Sequence, residues 1–202
     1  MPHRFDVTFD YLCPFARNAH EHLLAGLDAG APWEVGFRPY SLAQGHVEEG
    51  QTAVWDHPDP FSRPGLLALA AGVAVRDHQP EGFVAAHRAL FAARHDRGED
   101  IKDAEVVRSA LDRAGVDGAE VLRTVEEQDI LSRVRQEHEA SVVEHEVWGV
   151  PTFIGAGRAA FVRLMDRPGE APDDSIAAID QVVALLDQAP MLHEFKQTDL
   201  PR

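Results

Sequence analysis

Cys13 is the only cysteine among 202 residues, so no internal disulfide can form. That absence excludes a disulfide-stapled scaffold and points to a reducing compartment, so a cytoplasmic protein is expected. Long apolar runs are missing as well, and nothing approaches the ~20 residues of a membrane-spanning helix. The start, Met1-Pro2-His3-Arg4-Phe5-Asp6, passes straight into a strand pattern with no apolar signal segment, which supports the same expectation. Basic residues are scarce and scattered. Lysine and arginine total 19 against 34 acidic residues, the net charge is -15, and no basic run exceeds a pair. A reader of phosphate backbones needs a concentrated basic face, so nucleic acid is not expected as a partner. Internal repeats and low-complexity linkers are absent too. What is there is 45% hydrophobic and 26% charged, at a length that allows one domain or a domain with an insertion.

The first segment alternates: Phe5, Val7 and Phe9 with Asp6, Thr8 and Asp10, the period of a half-buried strand. Cys13-Pro14 follows, and Phe15, Ala19, Leu23 and Leu27 then recur at helical spacing. Pro14 suits a first helical turn, where its missing N–H costs nothing, and Gly26 and Gly30 are stop signals. Trp33, Val35 and Phe37 alternate again and predict a strand ending before Pro39. Strand, helix and strand within this length form a parallel βαβ unit. From Pro58 to about Glu146 the readable elements are helical. One runs from Arg63 to Val75, and one follows Pro80 with Phe83, Ala86, Leu90 and Phe91 on one side. A third is capped by Asp103 and stops near Gly115, and the last spans Ala119 to Glu146 with a break midway. Thr152-Phe153-Ile154 and Ala159-Ala160-Phe161-Val162 flank Gly155-Ala156-Gly157, a hairpin signal. Ser175 is the expected cap of a final helix carrying Ile176, Ile179, Val183 and Leu186. The order βαβ, helical block, ββα predicts an α/β core with a helical insertion.

Taken alone, Cys13 reads as a small buried hydrophobe. Its position between a strand and a helix changes that reading, because the unpaired N–H groups of a first turn favour thiolate over thiol. A lowered pKa is therefore expected, with Arg17 adding positive charge if it points back. In Gly149-Val150-Pro151-Thr152-Phe153 a proline directly precedes an apolar strand. By itself such a proline is more often an ordinary loop feature, since cis X-Pro bonds are a small minority. Beside a Cys-Pro helix start the pair resembles a thioredoxin-like site, in which a cis-proline loop faces the thiol and the backbone of the preceding residue, here Val150, pairs with an extended thiol-bearing substrate. His20 and His22 lie on the first helix, His57 in a Pro-rich loop, and His138 and His145 are seven apart. Metal pairs on helices sit three or four apart, so no metal site is expected. His57 and His138 are auxiliary candidates, as proton donor or polar contact, against the plainer reading of packing histidines. Trp33, Trp55 and Trp148 suit a core, and Trp55 or Trp148 also suits a flat wall for an aromatic substrate.

Asp10-Tyr11-Leu12-Cys13-Pro14 together with Val150-Pro151-Thr152 resembles the DsbA-like branch of the thioredoxin superfamily. Within that branch the chain is most similar to the actinobacterial mycothiol-dependent nitroreductase and disulfide-oxidoreductase group. Arg38-Pro39-Tyr40-Ser41-Leu42-Ala43, Ala89-Leu90-Phe91-Ala92-Ala93-Arg94 and the tail His193-Glu194-Phe195-Lys196 extend the likeness. The resemblance implies a thioredoxin-like fold over 1–57 and 147–202 with a helical insertion over 58–146. It implies Cys13 as the attacking sulfur, a thiol site formed by Pro14, Phe15, Arg17, Trp148, Val150 and Pro151, and no bound cofactor. The implied co-substrate is a low-molecular-weight thiol, mycothiol or glutathione, acting with a small-molecule or protein disulfide; whether two copies pair as a homodimer stays open. The family pattern is C-P-x-C, whereas Ala16 stands here where the second cysteine would be. A mixed disulfide on Cys13 then needs an external thiol for release. The expected function is a monothiol oxidoreductase. The alternatives are a thiol-dependent transferase or isomerase, as in the kappa-class glutathione transferases and chromene-carboxylate isomerases, and a catalytically silent binding protein.

Overall fold

The computed structural model describes residues 3–188 and Met191; the tail motif His193-Glu194-Phe195-Lys196 lies outside them. Among the described residues, four strands form one sheet in the order β2-β1-β3-β4. β1 (His3–Phe9) runs parallel to β2 (Trp33–Pro39), with Phe5 opposite Val35 and Phe9 opposite Pro39. On its other side it runs antiparallel to β3 (Thr152–Gly155), which turns through Ala156 and Gly157 into β4 (Arg158–Phe161). The expected alternation holds for Phe5, Val7 and Phe9, yet Thr8 and Asp10 are buried as well. An interior strand is covered on both faces, so its polar positions are covered with the rest. Pro39 ends β2 rather than following it; on an edge strand its missing N–H breaks no ladder.

α1 (Pro14–Asp28) and α8 (Pro172–Gln188) pack together. They close an apolar cluster in which Ala19 and Leu23 meet Phe5, Val7, Trp33, Phe153, Ile179 and Val183. Gly26 is not a stop: it lies inside α1, where a Cβ would overlap the Trp33 ring, and the chain turns at Gly30 (φ +82°). Ser175 is not a cap either. α8 begins at Pro172 with Asp173 and Asp174 in its first turn, and the buried Ser175 hydroxyl bonds His22 Nδ1 at 2.9 Å.

Between β2 and β3 the chain builds the short α2 (Leu42–Gly45), then α3 (Leu66–His78), α4 (Phe83–His95), α5 (Ala104–Arg113), α6 (Gly118–Glu127) and α7 (Ile130–His145). α3 starts at Leu66, later than its pattern suggested, because Gly65 at its N-cap is left-handed (φ +72°) and cannot continue a helix from Arg63. Every residue from Leu66 to Val75 is buried. A helix apolar all round belongs at the centre of its neighbours, and α4, α5, α6 and α7 all pack on α3. Asp103 caps α5 through Glu105 N–H, as its sequence position indicated. The break before α7 falls at Gln128-Asp129, with Asp129 at φ +47°. α7 is tied back to α3 and β2 by Arg76, which bonds both Glu137 oxygens at 2.9 and 2.6 Å and the Phe37 carbonyl at 2.7 Å. No described helix is long and apolar enough to cross a membrane.

Candidate thiol site

Cys13 is the N-cap of α1, with extended backbone (φ -90°, ψ 118°) and Pro14 entering the first turn. Its Sγ accepts from Ala16 N–H at 3.4 Å and donates to the Val150 carbonyl, also at 3.4 Å. Val150-Pro151 is a cis peptide. The strand-end loop of β1 and the loop entering β3 therefore meet at one edge of the sheet, as the paired motifs suggested. Thr8 fastens them together: its Oγ1 accepts from Thr152 N–H at 2.9 Å, and Thr152 Oγ1 donates to Gly149 O at 2.8 Å.

The expected acidity of Cys13 does not hold. Burial, which leaves only 7% of the residue exposed, pushes the thiol above its ordinary value. The Ala16 and Phe15 N–H groups and the Arg163 charge act in the expected direction, but desolvation of the thiolate outweighs them. Asp10 acts with burial. Its carboxylate is 1% exposed, accepts from Leu12 N–H at 2.9 Å and Leu42 N–H at 2.7 Å, and is pushed up to about 6 by burial.

Arg17 does not point back toward the sulfur. It bonds Glu21 at 2.8 Å and Asp96 at 2.6 Å, two carboxylates that also hold Arg167. His57 is exposed after the 3-10 turn Val54–Asp56, and among the described residues its side chain makes no hydrogen bond or ion pair with the thiol loops. His138 is buried between Tyr40 and Trp55, with ring centroids 4.3 and 5.2 Å away, and its Nδ1 accepts from Ser41 N–H. Burial pulls its pKa down to about 4, so it is neutral near pH 7 and acts as packing rather than as a proton donor. Trp55 is buried in the same cluster and offers no open wall. Trp148, by contrast, is 70% exposed and stacks on Phe161 at 4.4 Å. The structure thus gathers Cys13, Pro14, Phe15, Val150 and Pro151, with Trp148 at the rim, and leaves out Arg17, His57 and His138.

Sequence reasoning missed a buried chain beneath this site. Tyr11 Oη meets His87 Nδ1 at 2.8 Å, His87 Nε2 meets His20 Nδ1 at 2.9 Å, and His20 Nε2 meets the Thr8 carbonyl at 3.1 Å. The carbonyl only accepts, and burial holds both imidazoles neutral, His20 down to about 4. The direction follows: His20 Nε2–H donates to Thr8, His87 Nε2–H to His20, and the Tyr11 hydroxyl to His87. The chain links the residue two before Cys13 to the strand residue that fastens the proline loop. One signal was readable: His87 lies four residues from both Phe83 and Phe91, on the apolar face of α4.

A family model described as a DSBA-like thioredoxin domain matches residues 4–167. Among solved structures, reduced DsbA1 from Neisseria meningitidis superposes with a TM-score of 0.60 at 16% identity, over 92% of this chain and 85% of that one. The cytosolic disulfide reductase DsbM from Pseudomonas aeruginosa with GSH gives 0.61 at 16% identity, over 90% and 100%. A 2-hydroxychromene-2-carboxylate isomerase gives 0.62 at 14% identity, over 95% and 100%. No curated protein sequence matches the chain. At these identities the structures share the fold, a thioredoxin-like sheet with a helical insertion.

Proposed function

The chain belongs to the family of DsbA-like thioredoxin domains, and we propose that it works there as a cytoplasmic monothiol oxidoreductase using mycothiol or glutathione as co-substrate. The observation that carries this reading is the Cys13 sulfur at a helix N-terminus, 3.4 Å from the carbonyl that precedes a cis proline, with Ala16 where a second thiol would stand. Disulfide exchange needs the thiolate. Ionisation breaks the S–H bond to Val150 O, and the Ala16 and Phe15 N–H groups and Arg163 then face the negative sulfur. The thiolate attacks one sulfur of a disulfide, forms a mixed disulfide on Cys13 and expels the other half as a thiolate. An incoming small thiolate attacks the adduct, a small disulfide leaves and Cys13 is regenerated. The Val150 carbonyl, no longer held by S–H in the adduct, is free to accept from the substrate. The small-thiol partner is supported by the lone cysteine and by the GSH named with DsbM; the same structure's description as cytosolic supports the compartment.

The raised pKa of Cys13 favours a second reading, a thiol-dependent transferase or isomerase. There the first turn of α1 and Arg163 would stabilise the thiolate of a bound mycothiol or glutathione, and Cys13 would stay protonated.

The test is intact-mass analysis after exposure to oxidised glutathione and oxidised mycothiol, with wild type and Cys13→Ser compared. One thiol added to Cys13, released in proportion to added thiol, is the expected result. A folded wild type without adduct overturns the monothiol reading. Full thiol-dependent turnover in Cys13→Ser selects the transferase or isomerase, and neither adduct nor turnover leaves a binding protein.

A further inference from the structure

Resting on the thiol-exchange reading above, we propose that Trp148, Phe161, Phe15 and Arg163 form a platform beside Cys13 that selects disulfides bearing a flat aromatic ring with an anionic group. Trp148 is 70% exposed yet not loosely placed, since its ring stacks on Phe161 at 4.4 Å and 38°. Phe161 packs directly on the proline loop: its ring lies 3.3 Å from where a Cβ on Gly149 would sit. Val162 N–H bonds the Pro151 carbonyl at 3.1 Å and holds this stretch against the loop. Two residues beyond Phe161, the Arg163 guanidinium lies 5.6 Å from the Phe161 ring centre and 5.2 Å from that of Phe15. Phe15 is two residues from Cys13, and the Arg163 charge acts on the sulfur.

Charge supplies the second half of the argument. In this acidic chain most arginines are tied to carboxylates, among them Arg17, Arg76, Arg108, Arg135 and Arg167. Arg163 makes no ion pair or hydrogen bond among the described residues and rests on aromatic rings instead. An open ring face and an unneutralised cation next to one reactive sulfur complement an aryl carboxylate: the ring stacks on Trp148 and the anion meets Arg163. In the reaction the Cys13 thiolate attacks the aryl disulfide, a Cys13–S–S–aryl bond forms and an aryl thiolate leaves.

The experiment measures the rate of Cys13 adduct formation with dithiobis(nitrobenzoate), dithiodipyridine, oxidised mercaptoethanol and a short peptide disulfide. Each rate is divided by that of free glutathione and by the protein's own rate with iodoacetamide, which removes intrinsic reactivity. The wild type is expected to favour the anionic aryl reagent. Trp148→Ala should lower the normalised rates of both aromatic reagents about fivefold, and Arg163→Gln only that of the anionic one. Equal losses for oxidised mercaptoethanol, no loss, or a peptide disulfide preferred by the wild type overturn the platform. In parallel, Cys13→Ser is titrated with naphthoate by calorimetry, where binding that disappears in Cys13→Ser with Trp148→Ala is expected. If naphthoate binds but no disulfide modifies Cys13, the thiol-exchange reading fails, and the selection of disulfides with it, while the platform stands as a site for aryl carboxylates. If disulfides react without discrimination and naphthoate does not bind, the platform fails and the thiol reading stands.

Discussion

Replacing Tyr11 by phenylalanine tests the direction assigned to the buried chain. Tyr11, His87 and His20 are all fully buried, inside a cage that includes Phe9, Phe37 and Phe91. The substitution keeps the ring and removes only the hydroxyl that donates to His87 Nδ1 at 2.8 Å. It leaves an acceptor unpaired in apolar surroundings, and the space of one oxygen is too small and too apolar to admit a water. Orphaning a buried neutral acceptor costs about 1–3 kcal/mol, so a loss of about 2 kcal/mol is expected in urea unfolding at neutral pH with an unchanged slope. A second substitution sharpens the test. A Cβ at Gly72 would overlap the Tyr11 hydroxyl oxygen, so Gly72→Ala should overpack the wild type. Combined with Tyr11→Phe it should cost less than the sum of the two, because the first atom in its way is gone. A Tyr11→Phe protein within about 0.5 kcal/mol of wild type, or strict additivity with Gly72→Ala, would refute the assigned hydrogen bond and its packing.

Acid should destabilise the fold between about pH 6.5 and 4. The folded pKa values of His20 and His138 are lowered to about 4, so their contribution is complete above the unfolded value of about 6.5 and is lost as pH falls toward 4. Asp10 runs the other way, with a folded value raised to about 6: its contribution is present at low pH and lost as pH rises through 6. The histidines, with His87 also lowered by burial, outnumber the single carboxyl, so a net loss on acidification is the outcome to look for in denaturant midpoints across pH. Iodoacetamide alkylation of Cys13 should increase up to a pH above that of free cysteine, about 8.5; a plateau below that value would show that the first turn of α1 outweighs burial. Ala16→Cys should restore the paired-thiol motif, because Ala16 N–H already lies 3.4 Å from the Cys13 sulfur. Release of a mixed disulfide should then depend less on added thiol, and a time course at several thiol concentrations that shows no change would refute this geometry.

Local chemistry was legible along most of the chain. Pro14 behind Cys13 marks the start of α1, Asp103 caps α5, and the Gly155-Ala156-Gly157 turn joins β3 to β4. Each depends on interactions a few residues long, which a sequence displays directly. The failures have the opposite character. Gly26 and Ser175 look like a stop and a cap by local rules, but the Trp33 ring against one and the His22 imidazole on the other assign them to helix interiors. Arg17 faces Asp96, a residue contributed by the helical block, so its charge goes there rather than to the sulfur.

By itself the sequence determined that one sulfur stands at a helix start, that no second thiol is available to it, and that a proline opens the strand returning to the sheet. Only the tertiary structure decided what environment that sulfur has. The Val150 carbonyl it bonds is 137 residues away, and the fold, not the first helical turn, sets how much water reaches it. Burial is a property of everything packed around an atom. So the sign of the Cys13 shift, the neutrality of His138 and the meeting of Trp148, Phe161, Phe15 and Arg163 arise only when distant segments close on one another.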